Sequence, residues 1–409
     1  MTLSVVGGHA ASATSDTVPG HAVGDLILQG AYRSSSATAA TSASGFLVPA
    51  SLTTTGNTNA LKVGLKVATG TTGEGGTWTN ATQVGTLVIR GVWGVGALKV
   101  NNGAGSGTTT VCTWGSLTPN DTSGNNLLIG FIGHRTATNV PTTPPTGLIN
   151  QTGTTITNYS GNTGTSSSAY SQTQTVNANS GYSDVLLEIT SFSTANPFDT
   201  NSNNTFSNKN LTISTVGNAT SNFNTRITFP RSSGKFVFGG KLTNSGNAGL
   251  VNAAFTVTAD ASIDQSANGF DFWSNGTDMF FETGSVATTL GSSQGWSTSL
   301  TNLQWYIALD ATNKLAWGKF GAGFWNGVST NNPLTGVGGQ SYTVTGTLYP
   351  FLATFLSGDA VTYDGSVTAL IGSGLGGFGS GWSSWDGQVA PMFAGDIITR
   401  QAVNRASTY

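Results

Sequence analysis

Residues 303–319 read Leu303-Gln304-Trp305-Tyr306-Ile307-Ala308-Leu309-Asp310-Ala311-Thr312-Asn313-Lys314-Leu315-Ala316-Trp317-Gly318-Lys319. They are followed by Phe324-Trp325-Asn326-Gly327, by Thr347-Leu348-Tyr349-Pro350-Phe351 and by Ser357-Gly358-Asp359-Ala360-Val361. Short apolar and aromatic runs alternate here with turn chemistry, Asp310 to Asn313 in one place and Asn326-Gly327 in another, so the stretch up to Asp364 predicts a β-meander with aromatic strands.

The composition extends that reading to the whole chain. Its 409 residues are too many for one ordinary domain and enough for two, each with its own core. Charged residues make up 8% against the roughly 25% usual in globular proteins, while 57 residues are glycine. With 37% hydrophobic and 10% aromatic residues and a net charge of -2, the chain is not of the disordered type. β-Branched residues and glycine outweigh helix formers, which predicts an all-β protein. So little charge gives no electrostatic footprint for nucleic acid or an anionic membrane, and no run of 18 apolar residues suggests membrane insertion. A single cysteine, Cys112, excludes an intrachain disulfide and a thiolate metal cluster; its place in an alternating stretch predicts a small buried hydrophobe.

In chain order, strands are predicted at 25–32, 61–68, 84–92, 109–114, 126–134 and 183–192, then again from 233. In the second of these, Lys62, Gly64 and Lys66 alternate with Leu61, Val63, Leu65 and Val67, predicting one wet face. Gly70 to Thr79 is glycine-rich, but neither a following helix nor a Gly-Lys-Ser/Thr supports phosphate binding, and it is read as a hairpin loop. The Asn/Ser/Thr-rich stretch over 196–223 is read as a junction, within which Lys209 to Ser214 has the form of a short strand. The organisation expected is a β-sandwich over 1–195 serving as a mount, the junction, a second sandwich over 224–372, and a Gly/Trp-rich docking tail over 373–409.

Resemblances sharpen this. The pieces Val18-Pro19-Gly20-His21-Ala22-Val23-Gly24-Asp25-Leu26-Ile27-Leu28, Leu61 to Ala68 and Gly76 to Gly91 resemble a β-sandwich module of structural proteins of tailed bacteriophages. In the second half, Gly234-Lys235-Phe236-Val237-Phe238, Gly269 to Gly276, Ile307-Ala308-Leu309-Asp310 with its turn and following strand, Phe324-Trp325-Asn326-Gly327 and Thr347 to Phe351 follow in the order of the SPRY, concanavalin-like sandwich, which they resemble. These resemblances imply two tandem antiparallel β-sandwich or jelly-roll domains, the second SPRY-like, in a protein of the virion surface.

Candidate chemistry is sparse. His9, His21 and His134 have no metal-ligand spacing and are read as structural or solvated. Asp271, Asp278, Glu282 and Asp310 could in principle supply a glycosidase carboxylate pair, but Asp310 and Asp278 sit at turns, where Asp bonds the backbone. The oxygen-rich runs 199–201 and 260–264 lack an EF-hand pattern, so no metal and no cofactor is expected. Tryptophans outnumber what one core absorbs. Trp305 and Trp317 are read as core; Trp296, Phe324, Trp325, Asn326, Trp382 and Trp385 are the ligand or interface candidates.

The expectation is a non-catalytic virion-surface protein that adheres, like a tail fibre, to a host-surface glycan. The alternative is a capsid decoration or head-fibre protein, and a more remote one is a glycan-degrading enzyme. Expected partners are other virion proteins, a host glycan and further copies in a homo-oligomer.

Overall fold

The fold was obtained as a computed structural model that describes residues 3–386 except 56–57, 103–109, 136–143, 154–155, 162–167, 177–180, 217–222, 245, 256, 258–266, 275–276, 285, 293–302, 367–377 and 379–380. Among these residues the secondary structure is β-strand, with single 3-10 turns at Ala50–Leu52 and Trp325–Gly327, and the chain divides into two compact units, Met1–Ser191 and Phe192–Tyr409.

The first unit faces two antiparallel sheets. One contains β1 (Ser4–Ala11), β2 (Leu26–Ser34), β3 (Thr53–Thr55), β4 (Asn59–Val67) and β5 (Gln83–Arg90) in the order β1-β5-β2-β4-β3. The other contains β6 (Gly94–Asn102), β8 (Leu127–His134), β9 (Ile149–Gly153), β10 (Ile156–Gly161) and β12 (Tyr182–Thr190) in the order β6-β12-β8-β10-β9. The short strands β7 (Val111–Thr113) and β11 (Thr173–Thr175) form a separate ribbon. The sheets interlock by reciprocal ring and gap: Tyr32 lies on Gly133 and Phe131 lies on Gly30, each filling the volume that a Cβ would need. Glycine at both places lets the layers close.

The wet face expected on β4 is roofed. Trp78 lies over Gly64, packs on Phe46 with centroids 5.5 Å apart, and donates its Nε1 to Gln29 Oε1 at 2.9 Å. Lys66 stays half-buried because Glu74 pairs with it at 2.7 Å, so alternation marked the polar side chains but not the loop that folds over them. In the other sheet, buried Glu188 accepts four N–H bonds: Ala97 N (2.8 Å) and Asn120 N (2.7 Å) on one oxygen, Asp121 N (2.9 Å) and Asn126 Nδ2 (2.7 Å) on the other. It pins the loop before β8 to the middle of the sheet. Cys112 is buried, as its alternation implies, and burial pushes its thiol up to about 12, with nearby Asp184 adding to the shift. His134, buried 3.9 Å from its sulfur, is pushed down to about 4 by burial.

The second unit is a larger sandwich. Its seven-stranded sheet holds β13 (Ala195–Thr200), β16 (Phe223–Ile227), β18 (Asn247–Asn252), β19 (Gly269–Ser274), β20 (Asp278–Thr283), β21 (Val286–Ser292) and β25 (Leu348–Thr354), in the order β13-β16-β25-β18-β19-β20-β21. Its eight-stranded sheet runs β14-β15-β26-β17-β22-β23-β24 from β14 (Asn204–Ser207), β15 (Thr212–Thr215), β17 (Lys235–Thr243), β22 (Leu303–Asp310), β23 (Leu315–Phe320), β24 (Gln340–Ser341) and β26 (Ala360–Asp364), with β27 (Trp382–Ser384) added in parallel to β17. Alternate residues of both sheets, among them Phe238, Trp305, Ile307, Leu309, Leu250, Phe270, Phe272 and Leu352, fill the space between them. Each such fully buried large side chain is worth about 1.5–3 kcal/mol.

Two expectations change here. The stretch 303–364 is a meander only as far as β24; the chain then crosses to the opposite sheet as β25, between β16 and β18, and returns as β26 between β15 and β17. Pro350 lies beyond the last β16 partner, Arg226 opposite Phe351, at a place where a residue without an N–H is tolerated. Residues 196–223, read as a junction, contribute to β13, β14, β15 and the start of β16, all built into this unit's sheets. Buried Asn204 explains why polar residues suffice there: its Nδ2 bonds Thr225 Oγ1 at 2.9 Å inside the sandwich.

Candidate functional site

The outer edge of β23 carries the most distinctive surface of the second unit. β24 pairs with β23 only at Leu315 and Ala316, so among the described residues no strand lies beside that edge from Gly318 onward. The Asn326 side chain takes the missing strand's place. Gly318 N donates to its Oδ1 at 2.8 Å, while its Nδ2 donates to Ala316 O at 3.1 Å and to Gly338 O at 2.7 Å. Asn326 is 2% exposed and sits at φ 45°, ψ 37°, the left-handed region that asparagine tolerates better than most side chains. The Asn-Gly sequence therefore supplies both the turn and its cement.

A second clamp is the ring of Trp317, whose Nε1 donates to Val337 O at 2.9 Å. Between the clamps the chain is knitted by short backbone bonds: Asn332 N to Val337 O (3.0 Å), Val337 N to Asn332 O (3.2 Å) and Asn331 N to Val328 O (3.0 Å). What this fixed frame presents to solvent is apolar: Phe324 is 51% exposed, Val337 48%, Val328 43% and Leu334 41%. No charged residue occurs between Lys319 and Asp359. Four exposed large apolar side chains thus fall within the fourteen residues Phe324 to Val337 of one charge-free loop.

Only part of the candidate set falls on this surface. Phe324 is exposed on it, Trp325 is half-buried beneath it against Phe378 at 6.0 Å, and Asn326 is buried as its cement rather than offered to a ligand. Trp385 and Trp382 are core residues, 0% and 3% exposed, because β27 inserts into the sheet and turns one ring to each face. Trp296 lies outside the described residues. Trp305 and Trp317 are buried, as read from alternation. The aliphatic members Leu334 and Val337 escaped the sequence reading. The signal available was aliphatic residues inside an Asn/Pro/Gly stretch too irregular to be a strand.

Three of the four acidic candidates, Asp271, Glu282 and Asp310, are held in structural bonds. Asp310 accepts Asn313 N at 2.9 Å and Asn313 Nδ2 at 2.8 Å, with Lys235 3.4 Å away. Burial works against its charged form, but these bonds and Lys235 prevail and hold its carboxyl below the usual range. Asp271 is buried and accepts Asn247 Nδ2 at 2.7 Å; opposite it in register, Glu282 accepts Trp273 Nε1 at 3.0 Å. Asp199 pairs with Arg226 at 2.9 Å, and the run 260–264 lies outside the described residues. Of the histidines, His9 is exposed and bonds Asp16, a partner its sequence position did not announce, and His21 Nδ1 lies 2.8 Å from Pro19 O. Among the described residues no group of three or more His, Cys, Asp or Glu side chains is placed to hold a metal ion.

No family model matches the sequence, and no curated protein matches it. Among solved structures the chain is similar to the TRIM65 PSpry domain (TM-score 0.32, 10% identity, covering 42% of this chain and 88% of that one) and to the SPRY domain of human HERC1 (TM-score 0.32, 10% identity, 42% and 96%). It is also similar to stonustoxin (TM-score 0.28, 10% identity, 40% and 27%).

Proposed function

We propose that this is a non-catalytic attachment protein that contacts another protein through the rigid loop at 321–339, in the manner of a decoration protein of a virion. The observation that carries the contact is the exposure of Phe324, Val328, Leu334 and Val337 on a frame locked by Asn326 and Trp317. A rigid apolar loop loses little conformational entropy on docking, and aliphatic side chains complement an apolar protein surface better than a sugar's hydroxyls. The virion setting rests on the resemblance of the first half to phage structural modules.

Glycan adhesion is the second reading. It is favoured by an exposed Phe324 ring and exposed Ser329 and Thr330 on the same loop. The buried Trp382 and Trp385, and the half-buried Trp325, no longer support it. Photo-crosslinking from position 324 in assembled particles separates the readings: decoration gives a covalent adduct with a virion protein, whereas adhesion leaves position 324 uncrosslinked and gives glycan binding that Phe324→Ala abolishes.

A further inference from the structure

The outer face of the eight-stranded sheet would be bare where Val237, Tyr306, Ala308 and Trp317 project from β17, β22 and β23. It is covered instead by a cluster in which Phe378 and Trp382 from the end of the described chain meet Trp325 from the loop. The contacts run as a relay. Trp382 meets Trp317 at 6.3 Å and Phe378 at 5.0 Å; Phe378 meets Trp325 edge-on at 6.0 Å; Trp317 holds Val337 O. Trp317, and Trp325 next to Asn326, thus rest on residues more than fifty positions further along the chain.

The segment that provides this support has an anchor of its own, on the other side of the sheet. β27 pairs in parallel with β17, Lys235 with Trp382, Phe236 with Ser383 and Val237 with Ser384. Side chains three positions apart on a strand leave from opposite faces. Trp382 therefore covers the outer face, while Trp385 enters the inter-sheet core against Phe236 (5.5 Å) and Phe238 (5.1 Å) and donates Nε1 to Phe229 O at 2.8 Å. Arg231 holds Trp385 O through its guanidinium, and Asp386 accepts from the Ser193 amide and hydroxyl. Lys235 sits over the Trp382 ring at 5.7 Å.

We infer that Phe378 and residues 381–386 act as a positioning strap for the loop at 321–339: Trp385 and Asp386 anchor the strap, and Phe378 with Trp382 props Trp325 and Trp317 so that the loop keeps its shape. The functional weight of this inference rests on the loop's being the binding surface; the mechanical part does not. Because anchor and prop are separate side chains, the prop can be removed while the anchor stays.

The test is amide hydrogen exchange on the full chain carrying Phe378→Ala with Trp382→Ala. The inference expects exchange at Gly336 and Val337 to accelerate at least about 10-fold while amides of β22 and β25 stay within about 2-fold of wild type. Trp382→Phe, which keeps an aromatic edge toward Trp317, should restore most of the protection. If the double variant does not fold, Phe378→Ala alone leaves β27 untouched and is expected to accelerate the same loop amides. Acceleration spread equally over loop and core strands, or none in the loop, overturns the inference. Partner binding measured on the same samples separates the two claims: a loosened loop with unaltered binding refutes the loop as the binding surface and leaves the strap standing.

Discussion

Replacing Asn326 removes the one side chain that substitutes for a strand beside β23. Alanine deletes three hydrogen bonds, at 2.8, 3.1 and 2.7 Å, and leaves Gly318 N–H without its acceptor. Each such bond is worth about 1 kcal/mol net, and a buried orphan costs about 1–3 kcal/mol. Alanine also carries the left-handed backbone at φ 45°, for about 1–2 kcal/mol. Asn326→Ala should therefore destabilise the loop by about 4 kcal/mol, and Asn326→Gly by about 1 kcal/mol less, since it loses the same bonds without the backbone penalty. Asn326→Asp keeps the shape but turns an oxygen toward the carbonyls of Ala316 and Gly338; above the pKa of the new carboxyl it should be the worst of the three, and it should recover on acidification. The assay is amide exchange at Gly318 and Val337, with urea unfolding of the full chain alongside. Alanine and glycine variants that match each other, both within about 0.5 kcal/mol of wild type, would refute the assignment of Asn326 as the loop's cement.

Two further perturbations test the rest of the structure. Glu188→Gln in the first unit must aim its amide NH2 at two N–H donors whichever way it turns, so urea unfolding should show a loss of about 3–5 kcal/mol, and a loss under 1 kcal/mol would contradict the four-donor geometry. Burial raises the Asp386 carboxyl to about 7, the Ser193 donors opposing, with Asp364 adding to the rise and Arg231 working against it. A raised carboxyl pKa favours the protonated form in the fold, so its contribution is complete below about pH 4 and is lost as pH rises through about 7. The wild-type stability minus that of Asp386→Asn should accordingly fall by up to about 4 kcal/mol across that window; a difference independent of pH would show that Asp386 does not titrate there.

Much of the fold was legible because the signals are local. The apolar run within Asp25 to Tyr32, and alternation at Leu61 to Ala68 and at Lys235 to Leu242, mark strands whatever they pair with, and the scarcity of helix formers fixes the class. Pairing is not local, so the crossing of β25 to the opposite sheet between β24 and β26 left no mark in a run that reads as a continuous meander. The polar stretch at 196–223 resembled a linker because composition cannot show that Asn204 finds its partners across the sandwich. The tryptophans illustrate the same limit. Trp382-Ser383-Ser384-Trp385 follows a glycine-rich segment that looks unfit to pack, yet its spacing of three is what a strand needs to send one ring to each face. At the site, Asn326-Gly327 announced a turn; that the asparagine closes β23 from the side depends on where β24 stops.

The most direct test of the loop as an attachment surface is rebinding of purified chain to particles that lack it, comparing wild type with the double substitution Phe324→Asp and Leu334→Asp. Both side chains are solvent-exposed, so the variant should unfold at the wild-type urea midpoint. Two charges buried in an apolar contact cost about 3 kcal/mol or more, and the account predicts a loss of affinity of at least about 100-fold. Wild-type occupancy by the variant would contradict it.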